Sequence, residues 1–168
     1  MLYATILNAA IAEYPVNIFE RLPDTSFPAD WPGGEIEGVE YAAVRPTPPP
    51  DYNYAAQNLV EGTPVPVEGV WTQRWSVIDA TPEEIAERLA ARREAMRCDA
   101  RQARLALYQF GQLAAVEAWV AAQGESAKIE WEYANEILRT NGLISTGATA
   151  LGMTEEQIDL IFECAVML

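Results

Sequence analysis

One long stretch of the chain, from Glu83 to Phe110, holds neither glycine nor proline, and this feature most constrains the fold. Just before it, Thr81 can accept a hydrogen bond from the first turn of a helix, and Glu84 completes the pattern of a capping box. Pro82 suits the first helical position, where its missing N–H has no partner to lose. These signals predict a long central helix that runs to about Phe110.

A row of mostly apolar positions repeats along this predicted helix at intervals of three and four residues, once Arg93 is counted in the row. The apolar members are Leu89, Met96, Ala100, Ala103, Leu107, Phe110 and Ala114. Such spacing is typical of a heptad seam. Two interpretations follow: the helix covers the core of its own domain, or the seam pairs with a second copy or with another protein.

The same stretch carries most of the positive charge of the chain. Its cations are Arg88, Arg92, Arg93, Arg97, Arg101 and Arg104. One interpretation is a solvated face whose arginines form ion pairs with neighbouring acids. The other is a surface that docks onto an acidic protein.

Composition narrows the classes of function. The 168 residues carry a net charge of −14 and include no histidine. The negative charge disfavours nucleic acid and anionic membranes as partners. Without histidine the chain lacks the commonest general base and zinc ligand, and Cys98 and Cys164 have no histidine to activate them. Glu130 and Glu132 point to different sides of a predicted helix and do not form a carboxylate pair.

We therefore expect a protein that is not an enzyme and that uses neither a cofactor nor a metal. The N-terminus lacks the basic start and apolar core of a signal peptide, and no apolar run is long enough to span a bilayer. The sequence predicts synthesis and folding in a cytoplasm, without a membrane partner.

Residues 1–80 are predicted to form a small, mainly β region with proline-rich loops. A hairpin is predicted from residues 57–67 and 70–79, turning at Glu68-Gly69. Before it, the segment from Arg45 to Tyr52 contains three consecutive prolines, which favour an extended polyproline conformation. This segment is either a stiff connector or a ligand for an aromatic groove.

Two tryptophans lie on one face of the second hairpin strand. Alternation places Trp71, Gln73, Trp75 and Val77 on the same side. A pair of tryptophans on a strand is either a core platform or a surface for stacking sugars. With the helical positions above, the predicted partner interface comprises Leu89, Arg93, Met96, Arg97, Ala100, Arg101, Arg104, Trp71 and Trp75.

Residues 81–168 are predicted to contain the long helix followed by a C-terminal helical bundle. A helix is predicted from about Glu125 to Thr140, with a left-handed stop at Asn141-Gly142. A second capping box, Thr154 to Gln157, predicts the start of the last helix. The fold class is therefore α+β, divided at about residue 80.

Several of these segments resemble accessory proteins encoded near the tail fibres of tailed bacteriophages. The run Val70–Val77, with Gly69 before it, fits the pattern G-x-W-x-Q-x-W-x-V and leads into Thr81-Pro82-Glu83-Glu84-Ile85 as in those proteins. Tyr14-Pro15 and Ser26-Phe27-Pro28 resemble their N-terminal part. The runs Ile129–Ala134 and Leu151–Phe162 are similar to a helical module of phage tail genes.

The resemblance implies a virion protein of a phage tail, made in the host cytoplasm. Its expected role is an adaptor or fibre-network protein whose partners are other tail or tail-fibre proteins. A homo-oligomer that pairs through the seam is the further partner hypothesis. The alternative is an assembly chaperone for tail fibres that is absent from the mature particle. A carbohydrate-binding module is the third, more distant hypothesis.

Overall fold

A computed structural model describes residues 2–168. Within this range the chain has seven helices and eight strands, so the predicted mixture of α and β structure is confirmed. The chain divides between Thr81 and Pro82 into two compact units, here called the N-terminal unit and the C-terminal unit.

The N-terminal unit contains six strands and one short helix. They are β1 (Leu2–Leu7), β2 (Ala10–Val16), α1 (Ile18–Arg21), β3 (Gly33–Ile36), β4 (Val39–Val44), β5 (Gln57–Val67) and β6 (Val70–Asp79). Four strands form an antiparallel sheet in the order β2-β1-β4-β3, and β5 pairs with β6. The predicted hairpin of β5 and β6 is confirmed, with its turn at Glu68-Gly69.

Strand β1 is the centre of the N-terminal core because both of its faces are covered. On one face, Tyr3 packs with Val16, Ile18 and Tyr41. On the other face, Ala4 and Ile6 pack with Val44. In keeping with two covered faces, β1 is apolar except for Thr5, which is itself buried.

The loop before β3 is fixed by aromatic side chains. The ring of Trp31 lies 5.5 Å from that of Tyr3 and 4.7 Å from that of Phe27, measured between centroids. Tyr3 also donates a hydrogen bond from its hydroxyl to the carbonyl oxygen of Trp31, at 3.1 Å. These contacts attach the loop to the core of the sheet.

The C-terminal unit contains six helices and two very short strands. They are α2 (Pro82–Ala95), β7 (Arg97–Cys98), α3 (Ala100–Gln109), α4 (Leu113–Ala122), α5 (Glu125–Tyr133), β8 (Ile137–Leu138), α6 (Gly142–Ala150) and α7 (Glu155–Ala165). Strands β7 and β8 pair in antiparallel fashion.

The prediction of one long central helix to Phe110 is wrong. Helix α2 ends at Ala95, and the next residues adopt the extended conformation that pairs β7 with β8. Helix α3 then starts anew at a capping box: Asp99 accepts from the N–H of Gln102 at 2.7 Å, and the Gln102 side chain accepts from the N–H of Asp99 at 3.0 Å. This second start signal lies inside the stretch without glycine or proline. The pairing of β7 with β8 and the capping of α3 together outweigh the tendency of this stretch to continue as one helix.

The prediction of a helix from Glu125 to Thr140 is also wrong in its second half. Helix α5 ends at Tyr133, because the chain must extend to form β8. Asn141 caps a helix rather than stopping one: its side chain accepts from the N–H of Leu143 at 2.8 Å and begins α6. The predicted capping box from Thr154 to Gln157 is confirmed at the start of α7.

Candidate functional site

Residues of the predicted seam lie partly in the core of the C-terminal unit. Ala103 and Leu107 are buried, and Met96 and Ala100 are half-buried against the same core. Leu89 is half-buried on α2. The positions around α3 therefore favour the interpretation in which this segment covers the core of its own unit.

Arg93 of the predicted arginine face enters a cluster of charges with Arg139, Glu155 and Asp159. Asp159 accepts from the Nε of Arg139 at 2.7 Å and from the Nε of Arg93 at 2.9 Å. Glu155 lies 2.6 Å from Arg139 and 3.1 Å from Arg93, measured between carboxylate oxygen and guanidinium nitrogen. Arg139 and Asp159 are only 3% and 6% exposed, so the centre of the network is buried, whereas Arg93 and Glu155 reach the surface. The network holds equal numbers of positive and negative charges.

The network sets the protonation of Asp159. Burial raises the pKa of this carboxyl, but the hydrogen bonds and charges of Arg93 and Arg139 outweigh burial, and the pKa lies below its ordinary value. The hydrogen bond to Asp159 likewise raises the pKa of Arg93. Both groups are therefore charged at neutral pH, as a stable ion pair requires.

Acid is expected to remove the contribution of this network to stability. A carboxyl whose pKa is depressed on folding stabilises fully above its unfolded pKa, and the stabilisation disappears as the pH falls through the folded pKa. The difference in free energy of unfolding between the wild type and Asp159→Asn should therefore shrink below about pH 4. Urea unfolding of both proteins from about pH 6 to about pH 3 measures this difference. A difference that stays constant over this range would contradict the assignment.

The other arginines of the predicted interface have partners within the C-terminal unit. Arg104 donates to the carbonyl oxygen of Trp131 at 2.7 Å, and its guanidinium lies 5.0 Å from the centre of that indole ring. Arg101 donates to the carbonyl oxygen of Leu168 at 2.9 Å. Arg97 lies 3.7 Å from the carboxylate of Glu136. These contacts occupy the three arginines within their own unit, although only Arg97 pairs with an acid.

Strand β6 uses its W-x-Q-x-W residues to hold the start of the proline-rich segment. The main chain of Arg45 exchanges two hydrogen bonds of 2.9 Å with Trp71 and Gln73. The Gln73 side chain accepts from the N–H of Thr47 at 3.1 Å, and the hydroxyl of Thr47 donates to the Gln73 carbonyl oxygen at 3.0 Å. Trp75 donates from its indole nitrogen to the carbonyl oxygen of Thr47 at 3.0 Å. The motif therefore fixes this segment along the edge of β6.

Glu61 connects this arrangement to strand β2. Its Oε1 accepts from the amide of Gln73 at 2.6 Å and from the hydroxyl of Tyr14. Burial, followed by the hydrogen bond to Glu61, raises the pKa of Tyr14 to about 12. Tyr14, Glu61, Gln73 and Thr47 thus form a hydrogen-bonded chain across three parts of the N-terminal unit.

Removal of the Gln73 side chain should release the proline-rich segment. Gln73→Ala is expected to cost about 1–2 kcal/mol, because it deletes two hydrogen bonds and leaves their partners unsatisfied. The amide of Thr47 should lose its protection from hydrogen exchange, which NMR measures directly. Arg74→Ala is the matched control, because this neighbour is exposed on the same strand and should change neither quantity. An unchanged Thr47 amide in the Gln73 variant would show that the segment is held by other contacts.

Comparisons with known proteins add no relative: no family model matches the chain, and neither the curated proteins nor the solved structures gave a match. Across residues 2–168, no cluster of three or more histidine, cysteine, aspartate and glutamate side chains is placed to hold a metal ion. The helices of the same range include none with the length and apolar character needed to cross a bilayer.

Proposed function

We propose that this chain is a non-enzymatic structural protein of a bacteriophage tail that joins tail or tail-fibre components. The W-x-Q-x-W strand and the helical segments that resemble phage accessory proteins support the phage setting. The observation that carries the joining role is the exposure of large apolar side chains on both units. These residues include Leu7, Phe19, Tyr54, Ile78, Tyr108, Ile129, Tyr133 and Leu160.

Exposed aromatic and aliphatic side chains are typical of surfaces that bind other proteins. Both units carry such residues, so each can contact a different neighbour. A connector between tail components needs this property, because it must bind at least two surfaces at once.

The protonation of two candidate nucleophiles, the buried Cys98 and the half-buried Tyr14, supports a role without catalysis. Burial raises the pKa of the Cys98 thiol to about 11, so the thiol is protonated at neutral pH and is a poor nucleophile. Tyr14, with its pKa of about 12, is likewise protonated and donates to Glu61.

The carbohydrate-binding hypothesis loses its support in the geometry of β6. Trp71 is half-buried against the core residues Ala4, Ile6 and Val44. Trp75 is half-buried and its indole N–H is engaged by Thr47. A stacking site for sugars needs open ring faces, whereas these rings contact their own unit.

Mass spectrometry of purified particles of the encoding phage tests the proposal. We expect the chain to sediment with mature virions in a fixed ratio to other tail proteins. Its absence from mature virions, together with fibre defects in a deletion strain, would favour the assembly chaperone. The net charge of −14 also suits a chaperone, because a strongly charged chain is soluble. Complete, infectious particles from the deletion strain would contradict both roles.

A further inference from the structure

An open groove of about 470 Å³ lies on the C-terminal unit between the end of α5 and the start of α6. Its volume falls within the range of ordinary binding pockets, about 300–1,000 Å³. The lining residues that matter here are Ile129, Glu130, Tyr133, Glu136, Leu143 and Ile144. The groove is separate from the buried charge cluster of Asp159 and from the exposed outer face of α3.

One part of the groove is apolar and accessible. Tyr133 is 74% exposed and Ile129 is 52% exposed, although both are large apolar side chains on the same helix. Leu143 and Ile144, from α6, are half-buried beside them. Covering these four side chains would remove apolar surface from water, which is the usual source of affinity in a helix-binding groove.

The other part of the groove holds two carboxylates, those of Glu130 and Glu136. Glu130 forms no ion pair with any other residue between 2 and 168. Glu136 forms a long ion pair with Arg97, in which the carboxylate oxygen and the guanidinium nitrogen lie 3.7 Å apart. Helix α5 ends at Tyr133, so the negative end of its dipole lies beside the groove. Lys128 lies 3.5 Å from Glu125. Arg104 donates to the carbonyl oxygen of Trp131, which also lines the groove, so a paired cation borders the apolar part while Glu130 keeps its charge without an ion pair.

We propose that this groove binds a basic, amphipathic segment of a partner protein, a proposal that rests on the role of the chain as an interaction protein. Apolar side chains of the segment cover Ile129, Leu143 and Ile144. Its lysine or arginine side chains lie beside Glu130 and over the exposed ring of Tyr133, where a cation gains from both the carboxylate and the aromatic face. A second copy of this chain is a poor occupant, because its net charge of −14 repels an acidic groove.

The test uses the full chain and a fluorescently labelled helical peptide built of leucine and lysine, with fluorescence anisotropy as the measurement. We expect saturable binding that weakens as salt is added, since the contacts include exposed charges. A peptide of the same pattern with glutamate in place of lysine should not bind. No binding of the lysine peptide, or equal binding of the two peptides, would overturn the proposal.

Two pairs of variants locate the binding in the groove. Glu130→Gln should raise the Kd about five-fold, the effect of one exposed ion pair. Glu132→Gln removes the same charge from the same helix but from outside the groove, and should change the Kd less than two-fold. Tyr133→Ala should raise the Kd about ten-fold, whereas Tyr108→Ala, which removes an equally exposed ring from α3, should leave it unchanged. Equal effects within either pair would overturn the assignment to the groove.

The failure of this proposal can be distinguished from failure of the proposed function. If the chain sediments with virions but the lysine peptide does not bind, only the groove assignment is wrong. If the peptide binds in the groove but the chain is absent from virions, the connector role is wrong and the binding surface remains.

Discussion

Asp159→Ala is expected to lower the free energy of unfolding of the C-terminal unit by about 3–5 kcal/mol, the cost of breaking a buried ion pair from one side. Asp159 is the common acceptor for Arg93 and Arg139. Without it, Arg139 stays buried with only the half-exposed Glu155 as a partner. In the wild type, the ion pair with Asp159 offsets the free-energy cost of removing the Arg139 guanidinium from water. Without that carboxylate the cost remains and destabilises the folded state.

Urea unfolding of the full chain, combined with hydrogen exchange at α7 and β8, measures this loss in the unit concerned. Glu163→Ala is the matched control, because Glu163 lies on the same helix and pairs with Arg92 at the surface. Exposed pairs contribute about 0–1 kcal/mol, so the control should lose far less stability. Similar losses in the two variants would show that Asp159 is not the centre of a buried network.

A double replacement separates the network from simple packing. Arg139→Met combined with Asp159→Leu removes both buried charges and fills the space with apolar atoms. Such exchanges are often neutral or stabilising, so this variant should recover most of the stability lost in Asp159→Ala. No recovery would mean that the shape of the site, rather than its charge balance, causes the loss.

The sequence predicted correctly those helix starts and turns that are determined by a few neighbouring residues. The hairpin of β5 and β6 follows from alternation around Glu68-Gly69, and the start of α7 follows from the capping box at Thr154. The prediction of one long central helix was wrong because a start signal at Thr81 and the absence of glycine and proline do not exclude a second start further along the chain. The signal that could have found the break was Asp99 followed three residues later by Gln102, a start pattern within a helix-forming stretch.

Contacts between distant residues were beyond the sequence argument. Arg139 was not predicted as a site residue, because nothing in its neighbourhood shows that it meets Asp159, twenty residues further along the chain. Asp159 did carry one signal: it directly follows the buried Ile158 on an otherwise apolar helix face. The groove at Tyr133 depends on where α5 ends, and that end is set by the pairing of β7 with β8 rather than by local propensity.

The W-x-Q-x-W motif shows how a correct pattern can leave its role open. Alternation placed Trp71, Gln73 and Trp75 on one face, and the structure gives all three contacts with the segment of Arg45 and Thr47. The sequence offered both a core platform and a sugar site. The hydrogen bonds of Thr47 and the packing of Trp71 against the core favour the structural role.

Gly33→Ala is expected to destabilise the N-terminal unit by about 3–4 kcal/mol, at the upper end of the effect of single replacements. Gly33 has φ of +111°, a conformation that disfavours any side chain. It also pairs with Ala42 of β4 so closely that an added Cβ would lie 2.2 Å from the carbonyl oxygen of Tyr41 and 2.7 Å from the Cα of Ala42. Both obstacles are backbone atoms of the central sheet, which cannot rotate away as a side chain can, so β3 must move off β4.

Gly38→Ala separates the backbone strain from the collision. Gly38 also has a positive φ, of +78°, but an added Cβ there would meet nothing within 4 Å. This control should therefore cost only about 1 kcal/mol, the ordinary penalty for alanine in a left-handed conformation. Hydrogen exchange at the amides of β4, together with urea unfolding, reports both variants. If Gly33→Ala costs no more than Gly38→Ala, then β3 does not lie against β4 as closely as this sheet requires.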